Sequence, residues 1–267
     1  MNLPEQDVRR LGDELYEAWC ARATVPALRE RVPDIDIDDA YRIQLRMVQR
    51  RVDAGESIIG KKIGVTSKPV QDFLGVYQPD FGQLTSAMDC SDQPYVDLGR
   101  LIQPKAEAEL AFVLKEDLAG PGISAMDVIR ATDYVVPCFE IVDSRIHAWN
   151  IKIQDTVADN ASCGVFVLGA SRGDPLALDI TLAGMVLEKN GELHSTSAGA
   201  AVQGSPASAV AWLANTLGRL GIPFRAGEVI LSGSQSPLVE VADGDELVCT
   251  VGGLGSCRVQ FRGRSAA

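Results

Sequence analysis

Residues 104–114, with the sequence PKAEAELAFVL, decide the fold of this chain. Polar and apolar residues alternate here and then give way to an apolar run, which is typical of a long β-strand with one face in a core. On such a strand Glu107 and Glu109 point to the same face, because residues two apart share a face. Adjacent carboxylates repel each other, and a hard divalent cation such as Mg²⁺ offsets that repulsion. The alternative is a solvent-facing side of the strand that carries two unrelated acids.

A third acid lies in a second predicted strand, YVVPCFEIVD (residues 134–143). Glu140 has apolar residues on both sides there, and an unpaired carboxylate is costly in such surroundings. If this strand lies beside the first, Glu107, Glu109 and Glu140 form a three-carboxylate site with open positions for water and substrate. No His or Cys accompanies these acids, so the site favours Mg²⁺ or Mn²⁺ over Zn²⁺.

Lys62 is the next candidate for chemistry, because it lies in a predicted apolar strand, GKKIGVT (residues 60–66). A lysine held near a metal ion and an enolate can donate a hydrogen bond or transfer a proton. The alternative is a surface lysine whose apolar stem lies along the protein while its ammonium reaches water. Its neighbour Lys61 faces the other side of the strand and is expected to point to solvent.

The rest of the chain predicts an α+β fold, with helices first and a mixed, mostly β body after them. Apolar residues at steps of three and four predict helices over residues 7–22 and 38–54. We therefore expect an N-terminal helical portion over residues 1–56 and a mixed β catalytic body over residues 57–267, or one continuous domain made of both.

Three stretches of the predicted body lie between its strands. A short helix is expected at 69–74, a loop at 78–84, and a loop-rich stretch at 155–164.

Composition excludes several classes of partner. The 25 Lys and Arg residues against 36 Asp and Glu residues give a net charge of −11, which argues against binding to nucleic acid or to an anionic membrane surface. No apolar run approaches the roughly 20 residues that span a bilayer. Six scattered cysteines without a CxxC pair indicate reduced thiols in a cytoplasmic protein. His147 and His194 have polar or turn neighbours, which favours surface positions for both.

Four segments together resemble one known family: GKKIGVTSKPVQDFLGVYQPDFGQL, PKAEAELAFVL, VVPCFEIVDSRI and KIQDTVADNASCGVFVLG. They are similar to the 2-oxopent-4-enoate hydratases, also called 2-hydroxypenta-2,4-dienoate hydratases, of the fumarylacetoacetate hydrolase superfamily. The similarity extends from about Leu28 to the last predicted strands. It implies a mixed, strongly curved β-sheet body like the fumarylacetoacetate hydrolase C-terminal domain, with N-terminal and peripheral helices, and assembly into a homo-oligomer.

The resemblance also implies a set of site residues. Three acids match the ligands of a divalent metal ion, Mg²⁺ or alternatively Mn²⁺: Glu107, Glu109 and Glu140. Three residues match catalytic positions, namely an active-site lysine, a pocket acid and a pocket serine: Lys62, Asp80 and Ser162. Ser234, in LSGSQSP, matches a loop that lines the substrate site.

The activity that the resemblance implies is a hydro-lyase reaction in the meta-cleavage degradation of aromatic compounds. Water adds to 2-hydroxypenta-2,4-dienoate to give 4-hydroxy-2-oxopentanoate. A 4-oxalocrotonate decarboxylase on the same scaffold and a non-catalytic partner subunit are the alternatives. The decarboxylase substrate has a second carboxylate, for which Arg145 is the candidate partner. Association with a downstream aldolase or with the related decarboxylase is a further expectation.

Overall fold

Twelve strands and six helices form the part of the chain that the computed structural model describes, residues 3–66, 71, 76 and 78–263. The helices are α1 (Glu5–Ala21), α2 (Leu28–Arg31), α3 (Ile37–Asp53), α4 (Ala125–Ala131), α5 (Ile153–Ala158) and α6 (Pro206–Arg219). Among these described residues, no helix is long and apolar enough to cross a membrane.

The first and third helices pack together through their apolar faces. The predicted helices over 7–22 and 38–54 are confirmed, with ends shifted by one or two residues. Asp36 caps α3, since its carboxylate accepts a hydrogen bond of 2.9 Å from the Asp39 amide. The apolar faces of both helices share one buried cluster with Ile146 and Val157 of the body. The division into two domains stays a prediction.

The strands form two sheets. They are β1 (Ile58–Gly64), β2 (Asp80–Thr85), β3 (Val96–Asp97), β4 (Pro104–Leu114), β5 (Thr132–Asp143), β6 (Cys163–Leu168), β7 (Gly184–Lys189), β8 (Glu192–Ala198), β9 (Val229–Leu231), β10 (Val239–Glu240), β11 (Glu246–Val251) and β12 (Gly255–Arg262). The larger sheet has the order β2-β1-β9-β4-β5-β6, and β10 also pairs with β4. The smaller sheet has the order β3-β12-β11-β7-β8.

The larger sheet is mixed, as predicted. Strands β1 and β9 are parallel, while β4 is antiparallel to β5, β9 and β10. Ala106, Leu110 and Phe112 lie on one face of β4 and are buried in the main core. Apolar residues of the smaller sheet and of α6 belong to the same core. Because successive residues of a strand alternate between faces, Glu107 and Glu109 project from the other face.

Two expectations about loops are wrong. Residues 80–84 of the expected 78–84 loop belong to β2, which is buried along its whole length. They form a strand because they pair antiparallel with β1, and Asn160 also bonds to the amide and the carbonyl of Gln83. Residues 155–164, expected to be loop-rich, contain most of α5 and a 3₁₀ turn at Asn160–Ser162. The helix expected at 69–74 lies outside the described residues, apart from residue 71.

Candidate active site

Three glutamates converge at the centre of the larger sheet. Glu107 and Glu140 are direct partners across the antiparallel β4–β5 pair, so both side chains leave the same face. Glu109, two residues further along β4, shares that face. One carboxylate oxygen from each of the three lies within 4.8 Å of the others. Glu109 and Glu140 are fully buried, and Glu107 is partly exposed.

Burial and mutual repulsion both act against the ionised forms of these acids. Burial, followed by the charge of Glu140, raises the pKa of Glu107 to about 7. The same two causes, with the charge of Glu107 added, raise the pKa of Glu109 well above its ordinary value. The site therefore needs positive charge to hold all three acids ionised at neutral pH.

Lys62 and Asp80 join this cluster from the neighbouring β1–β2 pair. Lys62 is 2% exposed, and its Nζ lies 3.0 Å from Glu140 Oε1. Gly64 shares the face of Lys62 and is the direct partner of Asp80, which brings the Asp80 carboxylate to the same side. Burial would lower the pKa of Lys62, but the charges of Glu140 and Asp80 outweigh it and raise the pKa. Lys62 is therefore a permanent cation within this group.

Asp80, unlike Lys62, has a pKa close to neutral pH. Burial raises its pKa to about 6, against the opposing effect of the Lys62 ammonium. Neither carboxylate oxygen of Asp80 has a hydrogen-bond partner within the described part of the chain. A buried carboxyl with such a pKa and two free oxygens can exchange a proton near neutral pH.

Glycine at position 64 is a steric requirement of this arrangement. A Cβ atom there would lie 2.2 Å from Asp80 Oδ1 and 3.5 Å from Lys62 Nζ. Any side chain at this position would displace the carboxylate from the glutamate cluster.

Lys61 contradicts the expectation that it points to solvent. Its side chain is buried, and its ammonium pairs with both carboxylate oxygens of Glu228. The expectation failed because this sheet is covered on both faces, so the side opposite Lys62 is also interior. Burial lowers the pKa of Lys61, in part offset by Glu228.

A cavity of about 450 Å³ opens beside the glutamates. It is lined by eleven residues: Ile63, Gly64, Val65, Thr66, Glu107, Ala201, Ser234, Gln235, Ser236, Pro237 and Leu238. The loop after β9 supplies its other wall, and two hydrogen bonds to β4 fix the course of this loop. The amide of Gly233 donates to Glu109 Oε2 at 2.9 Å, and the amide of Gln235 donates to the carbonyl of Ala108 at 3.0 Å. Ser234, predicted to lie at the substrate site, lines this cavity, and its hydroxyl donates to the carbonyl of Ser236.

Gln235 is a candidate that sequence reasoning missed. Its side chain is 5% exposed, and neither its oxygen nor its nitrogen has a hydrogen-bond partner among the residues described. Buried amides are normally satisfied, so an amide with both ends free at a cavity wall indicates a ligand contact. The only sequence signal was its place in the loop LSGSQSP, between residues singled out for their small size.

The hydroxyl of Ser162 contacts residues outside the glutamate cluster. The hydroxyl is 3.3 Å from Asp159 Oδ2 and 3.3 Å from Thr156 Oγ1, and Ser162 is not among the residues that line the cavity beside Glu107. Its predicted catalytic role stays a prediction, and the geometry favours a support for the turn before β6.

Arg145, the candidate partner for a second substrate carboxylate, is fully buried, with hydrogen bonds to Asp159 and to the carbonyls of Asp143 and Cys163. It is thus committed to this internal network.

Cys163 lies beside the same buried charges. Burial and the charge of Glu140 raise the pKa of its thiol, against the opposing charges of Lys62 and Arg145. A thiol with a raised pKa is a poor nucleophile at neutral pH, so Cys163 is not a candidate for catalysis.

The donor set fits a hard divalent cation. Glu109 Oε1 and Glu140 Oε2 are buried and have no hydrogen-bond partner in the described residues. Four carboxylates meet one lysine here, the carboxylates offer only oxygen ligands, and no His of the described residues belongs to the cluster. A divalent ion among the three glutamates would satisfy the free oxygens and balance most of the charge.

Comparisons with known proteins agree with this geometry. The family profile described as fumarylacetoacetate (FAA) hydrolase C-terminal matches residues 81–262. A 2-hydroxyhexa-2,4-dienoate hydratase from Comamonas testosteroni is 56% identical over 96% of this chain and 98% of its own length. A 2-hydroxypent-2,4-dienoate hydratase from Pseudomonas putida is 59% identical over 80% of this chain and 97% of its own length.

A solved structure shows the same architecture. A 4-oxalocrotonate decarboxylase from Pseudomonas putida G7, complexed with magnesium and adipate, superposes with a TM-score of 0.94 at 36% identity. The alignment covers 97% of this chain and 99% of the other. The fold class expected from the sequence is confirmed.

Proposed function

The chain belongs to the fumarylacetoacetate hydrolase family, and on that premise we propose that it is a hydratase of a 2-hydroxy-2,4-dienoate. The reaction adds water to 2-hydroxypenta-2,4-dienoate and yields 4-hydroxy-2-oxopentanoate, a step of meta-cleavage degradation of aromatic compounds. The relatives at 56% and 59% identity, both named as dienoate hydratases, support this activity over the alternatives.

One observation carries the mechanism, namely the convergence of three glutamates, Lys62 and Asp80 beside a cavity of about 450 Å³. Glu107, Glu109 and Glu140 would hold the metal ion, for which we propose Mg²⁺ with Mn²⁺ as the alternative. When bound, the ion would act as a Lewis acid that favours negative charge on the oxygens of a 2-oxo acid.

The side chains of this chain transfer the protons of the reaction. The dienol loses its 2-hydroxyl proton and gains one at C5, which leaves a 2-oxo-3-enoate. Water then adds its oxygen to C4, and a proton goes to C3. Asp80, with a pKa of about 6, can accept and return these protons, while the permanent charge of Lys62 holds the developing enolate oxygen in place.

The cavity wall supplies contacts for the rest of the substrate. Gln235 offers a free donor and a free acceptor, which suits either the substrate carboxylate or the water that adds. Ser234 is the second proposed contact. The small apolar remainder of the wall, such as Ile63 and Leu238, matches an unsubstituted or methyl-bearing dienoate tail.

Decarboxylation of 4-oxalocrotonate is the competing activity, because the decarboxylase structure shares this architecture. Its substrate carries a second carboxylate, which calls for a cation at the far end of the cavity. Of the described residues that line the cavity, none is Lys or Arg. Arg145 is engaged elsewhere. The described wall therefore favours a monocarboxylate.

The test supplies each substrate separately to the purified chain with Mg²⁺. We expect loss of the dienol absorbance with 2-hydroxypenta-2,4-dienoate, and mass-spectrometric detection of a product heavier by one water. 2-Oxo-3-hexenedioate should release no CO₂ above the uncatalysed rate. Release of CO₂ without hydration would reverse the assignment, and inertness towards both would favour the non-catalytic partner subunit.

Several finer expectations stay predictions. They concern the identity of the ion, the homo-oligomer, association with an aldolase or the related decarboxylase, and a cytoplasmic location.

A further inference from the structure

A second cavity of about 270 Å³, which we call the arginine cavity, lies between the N-terminal helices and the edge of the larger sheet. It is lined by nine residues: Trp19, Cys20, Arg22, Arg51, Ala87, Arg100, Leu101, Gly164 and Val165. None of these lines the cavity beside the glutamates. Three arginines around one small cavity are unexpected in a chain with a net charge of −11.

Arg51 lies in the wall of the arginine cavity and is held in one position. Its side chain is 2% exposed, its guanidinium lies 3.0 Å from Glu56 Oε2, and its Cζ lies 4.0 Å from the centre of the Trp19 ring. Both contacts fix the plane of the guanidinium before any ligand arrives. Its Nη1 is buried without a hydrogen-bond partner among the described residues. A buried guanidinium with a free donor is costly, because guanidinium donors are normally satisfied.

The other two arginines are at the surface, and no described carboxylate neutralises their charges. Arg22 donates to the carbonyl of Gly99 at 3.0 Å and has no ion pair with any described residue. Arg100 has neither a hydrogen bond nor an ion pair within the described ranges. Among the described residues, Glu56 is the one carboxylate that pairs with these arginines, so the described part of the arginine cavity keeps about two uncompensated positive charges.

We propose that the arginine cavity binds a small oxyanion, the carboxylate of an organic acid or a phosphate. A guanidinium presents two parallel donors that match the oxygens of both groups. The volume of the cavity suits a small molecule, and the net charge of the chain opposes a polyanion such as nucleic acid. Leu101, Val165 and the Trp19 ring give the cavity an apolar wall, which would favour benzoate over inorganic phosphate.

Titration calorimetry of the full chain, freed of divalent ions on a chelating resin, tests the proposal, with benzoate in one series and inorganic phosphate in the other. With no divalent ion present, a carboxylate cannot bind at the glutamates through a metal, and the resin leaves no carboxylate chelator in solution to compete with the probes. We expect saturable binding of at least one probe. The variant Arg100→Ala should weaken it by about tenfold or more, which is the scale of one lost charge-assisted contact. Arg51→Lys should also weaken it, because lysine keeps the charge and loses the planar pair of donors.

Arg130→Ala is the matched control, since Arg130 is an exposed arginine of α4 that does not line the arginine cavity. The Arg130→Ala variant should bind each probe with the same affinity as the unmodified chain. The proposal is overturned if neither probe binds saturably, or if Arg100→Ala and Arg130→Ala bind alike. It is also overturned if Arg100→Ala changes the size of the assembly in sedimentation, because a carboxylate of a second copy would then occupy the cavity. Hydratase activity is not read in this experiment, so its outcome is independent of the proposed function.

Discussion

Lys61 and Lys62 are adjacent in sequence and equally buried, but different carboxylates surround their ammonium groups. The charge of Lys62 acts on several carboxylates, and Asp80 and Glu140 among them have oxygens without hydrogen-bond partners in the described residues. Lys61 instead pairs with one carboxylate, Glu228. A residue's neighbours, and not its burial alone, decide whether its charge is available for chemistry.

We expect the two lysines to separate activity from stability. Lys62→Met should reduce kcat by about 10²-fold or more, because it removes the fixed cation from the proposed reaction centre. Lys61→Met should instead lower the free energy of unfolding by about 3–5 kcal/mol, because it removes the cation that pairs with the buried Glu228 and leaves this carboxylate only the Arg225 amide as a described partner. Urea denaturation and steady-state kinetics on both variants give the comparison. Equal kinetic losses in two folded variants would contradict the separate roles.

A second prediction at this scale concerns Gln235. Gln235→Leu keeps the approximate volume and removes both polar atoms, so we expect a higher KM or a lower kcat by about 10-fold to 10²-fold. Folding should be unaffected, since the wild-type amide has no partner in the described residues to lose. Ser208→Ala, in α6 and outside the cavity lining, is a control substitution. Wild-type kinetics in Gln235→Leu would remove this side chain from the site.

At the scale of elements, the register of the β4–β5 and β1–β2 pairs brings the residues of the candidate site together. The pairing of Glu107 with Glu140 and of Gly64 with Asp80 brings side chains from four strands to one face. The three acids were predictable, since a period of two places Glu107 and Glu109 together and an apolar context makes Glu140 conspicuous. Their convergence depended on β4 lying beside β5, which no local pattern specifies.

Other parts could not be predicted for a physical reason. The period-two argument placed Lys61 in solvent because it assumed one open face, and the packing of the second face is a property of the whole fold. Residues 78–84 have turn-forming composition, yet antiparallel pairing with β1 makes residues 80–84 part of a strand. Gln235 lies in a loop whose course depends on amides that bind β4, so its burial has no sequence signature.

Gly64 offers a prediction about an element. We expect Gly64→Ala to cost about 1–3 kcal/mol of stability and to reduce activity sharply, because the new Cβ would overlap Asp80 Oδ1. Gly252→Ala is the matched control in the turn between β11 and β12, where the nearest atom to an added Cβ is 3.7 Å away. Thermal unfolding and kinetics are measured on both. A Gly64→Ala variant as active as Gly252→Ala would show that Asp80 needs no such clearance.

At the scale of the whole molecule, the glutamates join strands that are distant in sequence, so their repulsion acts on global stability. Without a metal ion the folded state holds three carboxylates within 4.8 Å, with Lys62 as their one described cation, whereas the unfolded chain separates them. A ligand that binds the folded state alone stabilises it by mass action. Binding of the ion and stability of the fold are therefore linked.

This linkage gives the final prediction. Mg²⁺ at about 100 times its Kd should raise the free energy of unfolding by about 2.7 kcal/mol over the protein in EDTA. Glu107→Gln should abolish that gain and should leave stability in EDTA equal to or above that of the unmodified chain, because one of the repelling charges is gone. Differential scanning calorimetry of both proteins, with and without Mg²⁺, measures the four values. If Glu107→Gln is less stable in EDTA, the acids do not repel as the geometry requires; if it keeps the full Mg²⁺ gain, Glu107 does not hold the ion.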